Sequence, residues 1–162
     1  MSGPSPRPID SPSAPSETAP LARVPVLLAS AQEGDRSAVT DLLRGTRYVV
    51  VKAANSREAG KILNHIVFPI ILYDAASDAT EWHLGLKKMI SAWRVPSVLL
   101  LANRYDAELA GDSLRRGAFD ILVRPLRATD VMPALEFGYL QWKLRLGRTA
   151  RPATGHDRKP LD

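Results

Sequence analysis

From Pro69 to Tyr73 the chain is apolar at every position; it then stops on a carboxylate, Asp74, followed by the small and polar residues Ala75-Ala-Ser-Asp-Ala-Thr-Glu81. A run this short, apolar on both alternating faces and bounded by turn formers, reads as a strand covered by helices on each side. That is the signature of a parallel sheet. Asp74 then sits at the carboxyl end of the strand. In open α/β sheets, ligands and chemistry gather at that edge, where the loops leave a crevice.

Four more runs alternate with helical patterns around this one. Val24–Ala29 is a first strand, and Ser30-Ala-Gln-Glu33 resembles a capping box opening a helix whose Val39, Leu42 and Leu43 share a face; Gly45 ends it. Tyr48-Val-Val-Val-Lys52 is a β-branched second strand. Asn55-Ser-Arg-Glu58 again signals a cap, leading into Ala59, Ile62, Leu63 and Ile66 at helical spacing. After the Asp74 strand, Trp82, Leu86, Met89, Ile90 and Trp93 form a stripe closed by Pro96, which assigns both tryptophans to the core. Ser97–Ala102 is the fourth strand, Tyr105–Arg116 a short helix stopped by Gly117, and Phe119–Val123 the fifth strand. A last helix spans about 129–146, with Pro133 tolerated in its first turn. Five βα units with right-handed crossovers predict an α/β, doubly wound, five-stranded parallel sheet with five helices.

At 162 residues and 45% hydrophobic, the chain has material for one core, assigned to residues 23–146. Residues 1–22, rich in Pro and Ser, lack the large apolar side chains needed to offset ordering entropy, and residues 147–162 read as a basic tail; both are expected to be disordered. The net charge of +5 belongs to the tail: residues 143–162 hold six Lys/Arg against two Asp, while residues 24–142 hold fourteen basic and thirteen acidic groups. A nucleic-acid-binding surface is therefore not expected. Nor is a membrane partner, because no apolar run approaches the ~18 residues of a span and no signal pattern opens the chain. The absence of cysteine excludes disulfides and thiolate metal sites and suits a cytoplasmic location.

Catalytic motifs are missing. His65, His83 and His156 have no ligand spacing, so no metal site is read from them, and there is no G-x-S-x-G elbow, P-loop or G-x-G-x-x-G fingerprint. An enzyme is not expected.

The order of elements, the apolar strand ending in Asp74, and the fragment Gly117-Ala-Phe-Asp-Ile-Leu-Val-Arg-Pro125 resemble the receiver domain of bacterial two-component response regulators, over about residues 24–144. The resemblance implies a flavodoxin-like sheet with strand order 2-1-3-4-5, a cis peptide before Pro125, and Asp74 as the residue that accepts a phosphoryl group from a histidine kinase with Mg²⁺ bound. Other positions depart from that family. Its acidic metal-binding pair falls on Ser30 and Ala31, its fourth-strand hydroxyl on Leu101, its fifth-strand lysine on Arg124, and its switching aromatic on Ile121. Because Mg²⁺ demands oxygen ligands, Ser30 and Ala31 leave Asp74 alone to recruit it, with Glu33 and Asp35 the nearest substitutes if they fold back. Arg124 can pair with Asp74 or with a phosphoryl group.

The leading reading is a stand-alone, degenerate receiver-like signalling domain acting by protein-protein interaction, without a cofactor. The first alternative is a working phospho-acceptor, with Asp74 the nucleophile, Arg124 the phosphoryl stabiliser and Mg²⁺ required. A second is a flavodoxin-like small-molecule binder or hydrolase using the crevice by Asp74. The implied partners are a histidine kinase or an output protein. The last helix adds a surface: Val131, Leu135, Tyr139, Trp142 and Leu146 make one stripe toward the sheet, while Phe137, Leu140 and Leu144 lie nearly opposite. That second stripe predicts a homodimer or a docked partner, with Lys143, Arg145 and Arg148 on its rim.

Overall fold

The computed structural model describes residues 3–4 and 22–149, so the readings of residues 1–22 and 150–162 as disordered fall almost wholly outside the described residues. Strands β1 (Val24–Ala29), β2 (Tyr48–Ala53), β3 (Ile70–Asp74), β4 (Ser97–Ala102) and β5 (Asp120–Val123) pair in parallel in the order β2-β1-β3-β4-β5. Between and after them run α1 (Glu33–Leu43), α2 (Ser56–Leu63), a 3-10 segment (Ala75–Glu81), α3 (Trp82–Ile90), α4 (Ala107–Arg115) and α5 (Ala128–Thr149).

The central strands β1, β3 and β4 are almost wholly apolar because both faces of the sheet are covered there, whereas the edge strands β2 and β5 are partly exposed and carry Lys52 and Asp120. Leu28, Ile70, Leu72, Leu99 and Leu101 face a core closed by Val39 and Leu43 of α1 and Val131 and Leu135 of α5. Leu27, Ile71, Tyr73, Val98 and Leu100 face the opposite core, closed by Ala59 of α2 and Leu86 and Met89 of α3. Each large aliphatic side chain so buried contributes roughly 1.5–3 kcal/mol. In the parallel register Ala29 lies beside Tyr73, Asp74 beside Leu101 and Ala102 beside Val123. The residues just past these strands, Ser30, Ala31 and Arg124, are thereby delivered to the same edge as Asp74.

Helix ends depart from expectation where a periodic stripe runs past the last helical hydrogen bond. α2 stops at Leu63, leaving Ile66 exposed, and α3 stops at Ile90, so Trp93 lies in the following turn and is 73% exposed rather than in the core. Ser30 and Glu33 form no capping box: Gln32 occupies the cap of α1 and its backbone N–H donates to Ser30 Oγ at 3.1 Å. At Asn55 the cap holds, its side chain accepting from the Glu58 N–H at 2.9 Å. α5 continues to Thr149, so residues 147–149 are helical rather than tail. Arg145 is not a rim charge; its guanidinium turns inward and donates to Ser97 Oγ at 3.0 Å, and Ser97 donates to the Gly138 carbonyl at 2.8 Å.

The loop after Asp74 is anchored on the opposite side. The Tyr73 phenol donates to Asp78, whose carboxylate also accepts the Ser56 N–H at the start of α2, and burial followed by Asp78 pushes the phenol far above its ordinary range. α3 crosses here at Gly85, where a Cβ would lie against the Tyr73 hydroxyl, 2.8 Å from Asp78 Oδ2 and 2.9 Å from Ser56 Cβ. Gly85→Ala is expected to force this junction apart and cost about 1–3 kcal/mol, read as a lower urea midpoint. An unchanged midpoint would mean that α3 is not held there.

Candidate functional site

Arg124 is the hub of the sheet's carboxyl edge. Its Nε and Nη2 donate to the two oxygens of Asp35 at 2.8 and 2.7 Å, Nη2 also lies 3.2 Å from Asp74 Oδ1, and Nη1 donates to Asn103 Oδ1 at 3.1 Å. The guanidinium thus bridges two carboxylates, and the cluster is deep: Asp35, Asp74 and Arg124 side chains are 4%, 2% and 15% exposed. The Arg124–Pro125 peptide is cis, as the resemblance implied.

Asp35 arrives by the way α1 begins. Ser30 Oγ accepts the Gln32 N–H and its hydroxyl donates to Asp35 Oδ2 at 2.7 Å, so the first turn of α1 folds back over the edge. Burial pushes the Asp35 carboxyl up, but the hydrogen bonds from Arg124 and Ser30 together outweigh it and hold the group below its ordinary 3.8. Reciprocally, the Asp35 hydrogen bond raises Arg124, against the opposing effect of burial.

Asp74 has no free oxygen. Oδ1 accepts from the Ala76 N–H at 3.3 Å and faces Arg124, while Oδ2 accepts from Gln32 Nε2 at 3.0 Å and Ser77 Oγ at 3.2 Å. Ser77 Oγ in turn accepts the Ala31 N–H at 2.9 Å, tying the loops after β1 and β3 together. A carboxylate with two donors on each oxygen is satisfied as it stands.

These residues do not fit a hard dication. Such an ion needs several oxygens free to ligate, whereas Ala31 offers no side-chain donor, Ser30 serves Asp35, and the oxygens of Asp35 and Asp74 are occupied by guanidinium, amide and hydroxyl groups. Among the described residues no group of three His, Cys, Asp or Glu side chains is placed to hold a metal.

The structure brings together Asp74, Arg124, Ser30 and Ala31, and of the two nearby acids it recruits Asp35 and leaves Glu33 exposed. Leu101 is buried in the core on the α1 and α5 side, beside Asp74 in register, and Ile121 packs against the opposite core. A crevice of about 200 Å³ remains, lined by Asp74, Leu101, Asn103, Arg104, Asp106 and Arg124. Gln32, Ser77 and Asn103 were not foreseen from the sequence, where nothing distinguishes them from ordinary loop residues. Phe137, Leu140 and Leu144 do form a separate stripe on α5, 64%, 51% and 51% exposed.

No protein-family model matches the sequence, and no curated protein matches it. Solved structures do. The chemotaxis response regulator CheY4 of Vibrio cholerae superposes with a TM-score of 0.65 at 22% identity, covering 72% of this chain and 99% of that one. The signal receiver domain of an HD domain-containing protein from Pseudomonas fluorescens Pf-5 gives 0.71 at 17%, covering 82% and 98%. A response regulator from Thermotoga maritima gives 0.68 at 19%, covering 73% and 98%. At these identities the likeness is one of fold: the chain has the flavodoxin-like fold of receiver domains.

Proposed function

We propose that the chain is a receiver-like module of a two-component or phosphorelay pathway, not an enzyme, that acts in the cytoplasm by contact with a histidine kinase or output protein and needs no Mg²⁺. The observation that carries this is Arg124, which lies between Asp35 and Asp74 and supplies the positive charge that a phospho-accepting site would take from a metal. With its four donors, Asp74 is held as a structural carboxylate. Leu101 has no hydroxyl with which to register a phosphoryl group, and Ile121 is a packed, χ1-stiff side chain; a change of state requires a differential interaction that neither provides. The crevice volume of about 200 Å³ lies below the ~300–1,000 Å³ usual for small-molecule sites, which counts against the binder or hydrolase reading.

Incubation with acetyl phosphate and Mg²⁺ is expected to leave the intact mass unchanged. A stable phosphoryl adduct abolished by Asp74→Asn would replace this reading with that of a phospho-acceptor. Partner contact is assigned to α5, whose outward stripe of Phe137, Leu140 and Leu144 suits a second copy of the chain.

A further inference from the structure

We propose that the groove between α2 and α3 is a second docking surface, distinct from the α5 stripe, for an acidic segment of a partner protein. The groove, about 510 Å³, has Arg57, Gly60, Lys61 and Leu63 on one side, Lys88 on the other and Trp93 at its end. No carboxylate lines it. Other exposed cations such as Lys52, Lys87 and Arg104 also lack an ion pair among the described residues, but in this groove three of them, Arg57, Lys61 and Lys88, converge on a lining without a carboxylate, and among the described residues none of the three pairs with an acid of the protein. The positive charge in the groove is therefore left for an external anion.

Two backbone features build the surface. Gly60 leaves room for the Lys88 stem against α2: a Cβ at position 60 would lie 3.0 Å from Lys88 Cδ and 3.2 Å from Cε, so the α3 lysine and Lys61 line the same groove. Trp93 sits on a turn in which Arg94 and Val95 hold φ of +63° and +30°, a region unfavourable to both and most of all to a β-branched residue. The turn is pinned by Trp142, whose indole N–H donates to the Arg94 carbonyl at 3.0 Å, and the Arg94 guanidinium stands 4.7 Å from the Trp93 ring centroid.

The composition selects the occupant. Small-molecule sites enclose most of their ligand, but Arg57, Lys61, Lys88 and Trp93 are all exposed, which suits an extended polypeptide laid along the helices. Charge complementarity makes that polypeptide acidic, and the indole gives it an apolar or aromatic anchor, since tryptophan and arginine dominate interface energetics. Exposed ion pairs are individually weak, so the indole carries most of the affinity while the cations steer and select.

A fluorescent peptide of Asp and Glu flanking a central Leu-Phe, titrated against the full chain at low salt, is the test, with oligo(dT) and inorganic pyrophosphate as competitors. Binding that falls about tenfold in Lys61→Glu/Lys88→Glu, and likewise in Trp93→Ala, is the expected result. The neutral pair Lys61→Gln/Lys88→Gln is expected to lie between. No binding, binding that these surface substitutions leave unchanged, or displacement by oligo(dT) or pyrophosphate at lower concentration than by unlabelled peptide would each overturn the proposal.

Discussion

Arg124→Ala is expected to destabilise the domain by about 3–5 kcal/mol at neutral pH, the cost of leaving a buried carboxylate without its partner. Two acids depend on this guanidinium: Asp35, which loses both of its charged hydrogen bonds and keeps only Ser30, and Asp74, which keeps its neutral donors. The loss corresponds to a fall in Tm of roughly 10–20 °C for a domain of this size. The pH dependence distinguishes loss of charge pairing from loss of packing. With Arg124 present, the Asp35 carboxyl titrates below its ordinary 3.8, so its contribution is full above that value and is lost as the pH falls through the lowered one. Without Arg124, burial outweighs the remaining hydrogen bond from Ser30 and pushes Asp35 up. The variant is then expected to gain relative to wild type as the pH drops toward 4, and urea denaturation across pH would record the convergence. A penalty independent of pH would assign the effect to packing. Replacing both members, Asp35→Leu with Arg124→Met, is expected to recover most of the stability, because a buried pair contributes less than the cost of breaking it.

Leu140→Glu with Leu144→Glu is expected to dissolve a homodimer without unfolding the protein. α5 is fixed on the sheet by its other face: Val131 and Leu135 are fully buried, and a Cβ at Gly138 would lie 3.4 Å from Ser97 Cβ. The outward leucines are already half shielded at 51% exposure, so only about half of the usual ~1.5–3 kcal/mol per side chain remains to be gained on association. Two-fold symmetry repeats both leucines in the partner, giving about 4 kcal/mol, or roughly a thousandfold in the dimer dissociation constant. The cost of lost rotational and translational freedom is of similar size, so the dimer is expected to be concentration-dependent. Sedimentation velocity over a dilution series checks this. A wild-type chain that stays monomeric at high concentration, or variants that unfold, would remove the stripe from consideration as an interface.

The sheet was legible because its central strands are short runs apolar on both faces and its edge strands short β-branched or apolar runs between turn formers. β1 and β4 begin and end where the runs do, since a polar residue enters a position covered from both sides only with its hydrogen bonds met, as Ser97 does at the start of β4. Asp74 and Arg124 were legible for the same reason, as the polar residues that close β3 and follow β5 and so share one edge of a parallel sheet. Helix ends were less so, because a periodic stripe does not say where hydrogen bonding stops; Trp93 continues the pattern of α3 and yet stands in solvent. Which carboxylate Arg124 would take as its main partner was a tertiary matter. Asp74 was the evident partner, and it does lie within 3.2 Å, but the bidentate bond goes to Asp35, 89 residues away in sequence. That choice depends on Ser30 drawing back the first turn of α1, and on Gln32, Ser77 and Ala76 already occupying Asp74. The sequence alone determined that a carboxylate and a guanidinium would meet at the sheet's edge. Only the folded chain could decide which oxygens were left for the guanidinium, because the donors and acceptors gathered at this mostly buried edge compete for one another.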